Sequence, residues 1–191
     1  MIVCQNINWI QIKNNINKDL FFIDNQQLWE GNSMNSMKHL LHRSKIRFHS
    51  FVVIDSKKPL LYLSQAKNIV QYDGLNLTKV NQRGDILNNP YGIIYDDKKQ
   101  ILYICDTDNH RICVMDNRGN VSTIVGKSRT PGYKNGRGNN VLFRFPTGIT
   151  FGETKEILYV TDRGNHVIRR IDISQSYQTT TIGSYQSGKP L

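Results

Sequence analysis

The chain has 191 residues, a formal net charge of +10 and 38% hydrophobic residues, which suits a single domain with an ordinary apolar core. No apolar run approaches the ~20 residues that a membrane helix needs, and residues 1–14 lack the apolar stretch of a signal peptide. The cysteines, Cys4, Cys105 and Cys113, are odd in number and give no disulfide framework, so an intracellular, cytoplasmic protein is expected.

The predicted elements are all strands. In chain order, Ile10–Ile12 comes first, then Leu20–Asp24, then Leu28-Trp29. Val52–Ile54 precedes Leu61–Gln65, and Ile69–Tyr72 follows. Gly92–Tyr95 precedes Ile101–Cys105, followed by Ile112–Met115 and Val121–Val125. Gly148–Phe151, Ile157–Thr161, Val167–Ile171 and Thr179–Ile182 complete the series. These runs are short, apolar and rich in Ile, Val and Tyr. They are nearly continuous in apolar character, as strands buried on both faces are.

The same segment recurs through this series. An anchor position is filled by Asp24, Gln65, Asp106 and Asp162, at intervals of 41, 41 and 56 residues. Four residues earlier stands Leu20, Leu61, Leu102 or Leu158, and next to it an aromatic: Phe21, Tyr62, Tyr103 or Tyr159. The following residue is Phe22, Leu63, Ile104 or Val160. The last interval is longer by 15 residues, which reads as a loop inserted between the third and fourth repeats. Four short strands in about 41 residues is the arithmetic of a propeller blade. The expected fold is an all-β propeller of four-stranded antiparallel blades, about four in this chain, in one domain over 1–191. The blades should fall near 7–35, 51–81, 90–126 and 146–183, with a basic insertion near 127–144.

Two copies are sharp. Pro90, Gly92, Leu102–Asp106, Asn109, His110, Arg111 and Ile112 return as Pro146, Gly148, Leu158–Asp162, Asn165, His166, Val167 and Ile168. This pattern resembles the NHL-repeat β-propellers. The stretch Ser122–Gly126, Gly132, Gly136 and Phe145-Pro146 is similar to a linker of one NHL subgroup. Residues 1–88 depart from the pattern: Gln65 replaces the Asp, Phe51 the Gly, and both early turns are two residues shorter. The resemblance implies more blades than four in a closed ring. A four-bladed ring, a fragment, or completion by another chain or a second copy all remain open.

Candidate sites follow. Asp106, Asn109 and His110, with Asp162, Asn165 and His166, recur in each sharp copy, so they read as structural turns in which Asp and Asn bond nearby backbone. Asp106 and Asp108 start like a calcium loop, but its Gly and closing Glu are missing. Between Asp116 and Glu153 there is no acid, while Arg118, Lys127, Arg129, Lys134, Arg137 and Arg144 all fall there, with Tyr133. These seven residues form the candidate binding face. A second basic stretch, Lys38, Arg43, Lys45 and Arg47 with His39, His42 and His49, lies between the first two repeats.

The leading expectation is a non-enzymatic interaction or scaffold module that binds a protein partner, without cofactor or membrane. RNA binding through residues 118–144 is the alternative, since bases could stack on Tyr133 or Phe143 between cations. Some propellers related to NHL proteins are metal-dependent hydrolases or lyases. Their axial site needs three or four converging ligands, and His, Glu and catalytic motifs are scarce here.

Overall fold

A computed structural model describes residues 7–12, 20–24, 27–31, 38–39, 48–55 and 60–183, with side chains for 48–50, 52 and 60–183. Its first sheet holds β1 (Ile7–Ile12), β2 (Leu20–Asp24), β3 (Gln27–Gly31) and β4 (Lys38–His39). The second holds β5 (Ser50–Asp55), β6 (Leu60–Gln65), β7 (Asn68–Tyr72) and β8 (Leu77–Lys79). A two-residue strand, β9 (Arg83–Gly84), leads into β10 (Pro90–Asp96), β11 (Ile101–Asp106), β12 (Arg111–Met115) and β13 (Asn120–Val125). The last sheet is β14 (Pro146–Phe151), β15 (Ile157–Asp162), β16 (Val167–Asp172) and β17 (Gln178–Ile182). Within each blade the four main strands run antiparallel in chain order, which is propeller topology.

The aligned leucines and their apolar neighbours sit on the second strand of each blade. Leu61, Leu63, Leu102, Ile104, Leu158 and Val160 are all buried. One apolar cluster joins Val52 and Ile69 of blade two to Ile93, Leu102 and Ile104 of blade three. Another joins Tyr103, Cys105 and Ile112 of blade three to Leu158, Val160 and Ile171 of blade four. Blade stacking therefore builds the core, since a lone four-stranded sheet buries only one side.

The Pro-x-Gly motif has a packing cause. A methyl group on Gly92 would lie 2.4 Å from the Thr147 carbonyl oxygen of β14. Glycine lets the first strands of blades three and four approach backbone to backbone. Gly92→Ala is expected to lower stability by roughly 1–3 kcal/mol through overpacking. An unchanged urea midpoint would show that the two strands have room to part.

Cys105 and Cys113 are neighbours without facing each other. Cys105 pairs with Ile112 and Cys113 with Ile104, so alternation sends them to opposite sides of the sheet. Cys105 joins the blade three–four cluster and Cys113 the blade two–three cluster. Burial raises both thiols, that of Cys113 to about 12. Cys4 lies outside the described residues.

The insertion departs from the expected loop. It is a packed strap. Val141 and Phe143 are fully buried between blades three and four. Gly136 forms a bridge to Thr179 of β17, and Lys134 bridges Leu142 within the strap. Blade three is edged in a similar way by β9, which pairs parallel with β13. Gly84, at φ +89°, makes this possible, because a side chain there would strike the Val121 carbonyl at 2.0 Å. Both additions cover outer strand edges, which otherwise invite unwanted pairing. This role is not legible in the sequence, because Val141, Leu142 and Phe143 are a run of only three apolar residues in a polar stretch and carry no strand periodicity.

Candidate functional site

The strand alternation sets two ends for each blade. The turns after β11 and β15, and the connections between blades, fall at one end. The turns after β10, β12, β14 and β16 fall at the other. At the first end, Thr107–Asn109 and Arg163–Asn165 form single 3-10 turns closed by His110 and His166 in the left-handed region, at φ 58° and 56°.

The Asp and Asn of each turn clamp the preceding connection. Asp106 Oδ1 accepts the Asn88 amide at 2.7 Å, and its Oδ2 accepts Asn109 Nδ2 at 2.8 Å and Arg111 Nε at 2.7 Å. Asn109 Nδ2 also reaches the Ile86 carbonyl. In blade four, Asp162 Oδ1 accepts the Arg144 amide at 2.7 Å, and its Oδ2 accepts Asn165 Nδ2 and Arg169 Nη1. Asn165 Nδ2 also reaches the Gly132 carbonyl. These four carboxylate and amide groups are buried and occupied. They act across blades, beyond the local turn bonding read from the sequence.

A guanidinium completes each clamp, from a different place. Arg111 opens β12, whereas Arg169 lies two residues further along β16, at the register position that Cys113 holds in blade three. Arg111 also reaches Asp85, Thr123 and the Ile86 carbonyl. Arg169 is fully buried, donates to the Leu142 and Lys134 carbonyls and to Asn135, and lies over the rings of Phe143 and Tyr133. No motif announced it: Arg169 differs from the repeat's usual apolar residue, and that mismatch is the only sequence signal.

His110 links blades three and four. Its Nδ1 accepts the Phe145 amide at 3.2 Å, and its ring stands edge-on to Phe145 at 4.6 Å. Accepting that bond requires an unprotonated Nδ1. Burial pushes the His110 pKa below its ordinary 6.5, with Arg144 assisting and Asp108, Asp162 and Asp106 opposing. The unfolded chain then binds the proton more readily, so stability is complete above about pH 6.5 and falls as the solution is acidified through it. His110→Asn, which tolerates the left-handed backbone, is expected to flatten the stability difference between about pH 7.5 and 5.5. Urea titrations at both pH values check this, and an unaltered slope would place the titration elsewhere.

The structure divides the predicted binding face. Lys127, Arg129 and Arg144 are exposed at the clamp end, where the Arg129 amide bonds the Asn109 carbonyl and the Gly164 amide bonds the Arg144 carbonyl. Arg163, not singled out from the sequence, joins them, its guanidinium 6.0 Å from the Phe145 ring. Half-buried Asp108 shares this end. Lys134 and Arg137 flank the strap's pairing with β17 instead, and Tyr133 bonds Thr181. Arg118 lies at the opposite end, in the turn between β12 and β13. That end is mixed in charge, with Lys99 paired to Glu156 and Lys155 to Asp97 across the two blades. Of the second basic stretch, Lys38 and His39 form β4, while Arg43, Lys45, Arg47 and His42 lie outside the described residues. Half-buried His49 stacks on Tyr91. Among the described residues, no three His, Cys, Asp or Glu side chains are grouped to hold a metal ion.

No protein-family model matches the chain. Human NHL repeat-containing protein 2 is 35% identical over 88 residues, covering 46% of this chain and 12% of its own length. Its Bos taurus counterpart is 30% identical over 128 residues, covering 62% and 15%. The chain thus spans a small part of these curated relatives. An auxiliary nutrient binding protein from Bacteroides ovatus overlays with a TM-score of 0.68 at 19% identity, across 93% of this chain and 47% of its own; that similarity shows the fold. Repeat sequence, blade topology and the curated similarities agree that the chain is a β-propeller whose repeats are similar to those of NHL repeat-containing protein 2.

Proposed function

We propose that this chain is a non-enzymatic interaction module that binds an acidic segment of a protein partner at the clamp end of blades three and four. The observation that carries the reading is the division of polar residues at that end. Asp106, Asn109, Asp162 and Asn165 point inward and are consumed in holding the connections. Lys127, Arg129, Arg144 and Arg163 are exposed, on backbone that those clamps and the strap hold in place. A rigid cationic surface recognises anionic partners at little ordering cost and accelerates their encounter. Half-buried Phe145, set between His110 and Arg163, gives the surface an apolar centre.

The test is capture from nuclease-treated lysate by wild-type protein and by an Arg129→Glu/Arg144→Glu/Arg163→Glu variant. One defined protein retained by the wild type and released with rising salt is expected, at least tenfold reduced for the variant. That corresponds to about 1.4 kcal/mol, less than three charge reversals at a binding surface should cost. Recovery that vanishes with nuclease would favour RNA as the ligand, and equal recovery by the variant would move the partner to another surface.

A further inference from the structure

The connections into blades three and four each end on a left-handed residue. Asn89, at φ 53°, stands before Pro90 and β10, and Phe145, at φ 52°, stands before Pro146 and β14. The joint formed there uses only the main chain of this residue. The Asn89 amide bonds the Ala66 carbonyl, and the Phe145 amide bonds His110 Nδ1. Asparagine suits such a backbone, because its short polar side chain tolerates the left-handed region. A bulky aromatic there is an outlier. Residues held in that region persist where another interaction offsets the strain, and they gather at binding sites.

The core does not supply that interaction. Phe145 lies outside both described apolar clusters and outside the half-buried side chains packed on them. Tyr177, the second large aromatic at positive φ among the described residues (59°), does pack on the cluster between blades three and four. The Phe145 ring stands instead at the clamp end, half-buried, 4.6 Å from the His110 ring and 6.0 Å from the Arg163 guanidinium. Exposed Arg144 precedes it in the chain, and the Arg144 carbonyl accepts the Gly164 amide, which ties the Arg163–Asn165 turn to this connection. Exposed Arg129 is tied through its amide to the Asn109 carbonyl, next to His110. A strained apolar ring is therefore set among cations on a held backbone.

Granted the acidic-partner reading of the clamp end, we propose that Phe145 is the specificity-determining residue there. It selects a segment in which a large apolar side chain stands between carboxylates. The carboxylates meet Arg129, Arg144 and Arg163. The apolar side chain packs on Phe145, where its removal from water adds to the charge attraction. With His110 and Arg163 against it, the half-buried ring suits a side-chain contact better than the open face that a stacked base requires.

Fluorescence anisotropy with two labelled peptides tests the assignment. One carries a Phe between two pairs of Glu in a Gly-Ser frame, and the other has Ala in place of the Phe. The wild type should bind the Phe peptide at least about tenfold more tightly, which equals about 1.4 kcal/mol. Phe145→Asn installs the residue type that blade three uses. It should bring the two affinities within about twofold of each other and lower the thermal midpoint by less than about 3 °C. A larger fall, or loss of the fold, makes the ring structural and overturns the proposal. So does a preference that Phe145→Asn retains. Equal affinity of the wild type for both peptides, with both weakened by Arg129→Glu/Arg144→Glu/Arg163→Glu, overturns it too and leaves the cationic reading standing. Binding of neither peptide by the wild type overturns that reading and the proposal together. A uridine oligonucleotide that binds more tightly than the Phe peptide, and loses affinity in Phe145→Asn, gives the ring to nucleic acid and overturns the proposal.

Discussion

Arg169→Ala is expected to remove on the order of 3–5 kcal/mol of folding stability, the cost of leaving a buried charge without its partner. Arg169 and Asp162 are both fully buried and 2.8 Å apart. Truncation strands the Asp162 carboxylate, whose pKa burial already raises against the pull of Asn165, the Arg144 amide and Arg169. It also takes one donor from each of the Leu142 and Lys134 carbonyls, which keep only each other's backbone amides, and removes the cation that lies over the Phe143 and Tyr133 rings. Arg169 Nε has no hydrogen-bond partner even in the intact chain, so part of its own burial cost is relieved, and the lower end of the range is the firmer figure. Against a typical total of about 5–15 kcal/mol, the loss should lower the thermal midpoint by roughly 6–20 °C. Arg169→Met/Asp162→Asn should recover part of it, since an apolar stem and a neutral amide leave no charge unpaired. A fall below about 1 kcal/mol for Arg169→Ala would show that the strap is held to blade four by Val141, Phe143 and the Gly136–Thr179 bridge without need of the ion pair.

The propeller was legible because its signal is a period. Leu102 and Leu158 lie on matching strands of successive blades, as Leu61 does, and the spacing alone places the strands of blade two despite Gln65 and Phe51. The polar positions were legible as structural because they recur. What they hold was not, since Asn88 and Arg144 are contacted through backbone amides, and a backbone donor has no residue identity. The binding face was only partly legible: absence of acid between Asp116 and Glu153 marks a linear stretch, while strand reversal at each turn sends Arg118 to one end and Arg144 to the other. Arg163 joins the face from outside that stretch through the fold alone.

Asp106→Ala should cost about 3 kcal/mol, at the lower edge of the range for a broken buried pair. The carboxylate is fully buried and serves three N–H donors, from Asn88, Asn109 and Arg111, besides the weak Cys113 thiol at 3.9 Å. Arg111 keeps Asp85 at 3.1 Å, together with Thr123 and the Ile86 carbonyl, so its charge stays partnered, which is why this loss should be smaller than that of Arg169→Ala. The Asn88 amide has no such reserve: its acceptor is deleted. Hydrogen exchange separates the two effects. In Asp106→Ala the Asn88 amide should exchange faster than the global loss of stability requires, while amides of β15 and β16 follow the global change. In Asp106→Asn the side-chain carbonyl can still accept the Asn88 amide, so local protection should survive while the ion pair with Arg111 is lost. If Asn88 were equally protected in both variants, the connection before blade three would be held by the burial of Leu87, and the carboxylate would serve Asn109 and Arg111 instead.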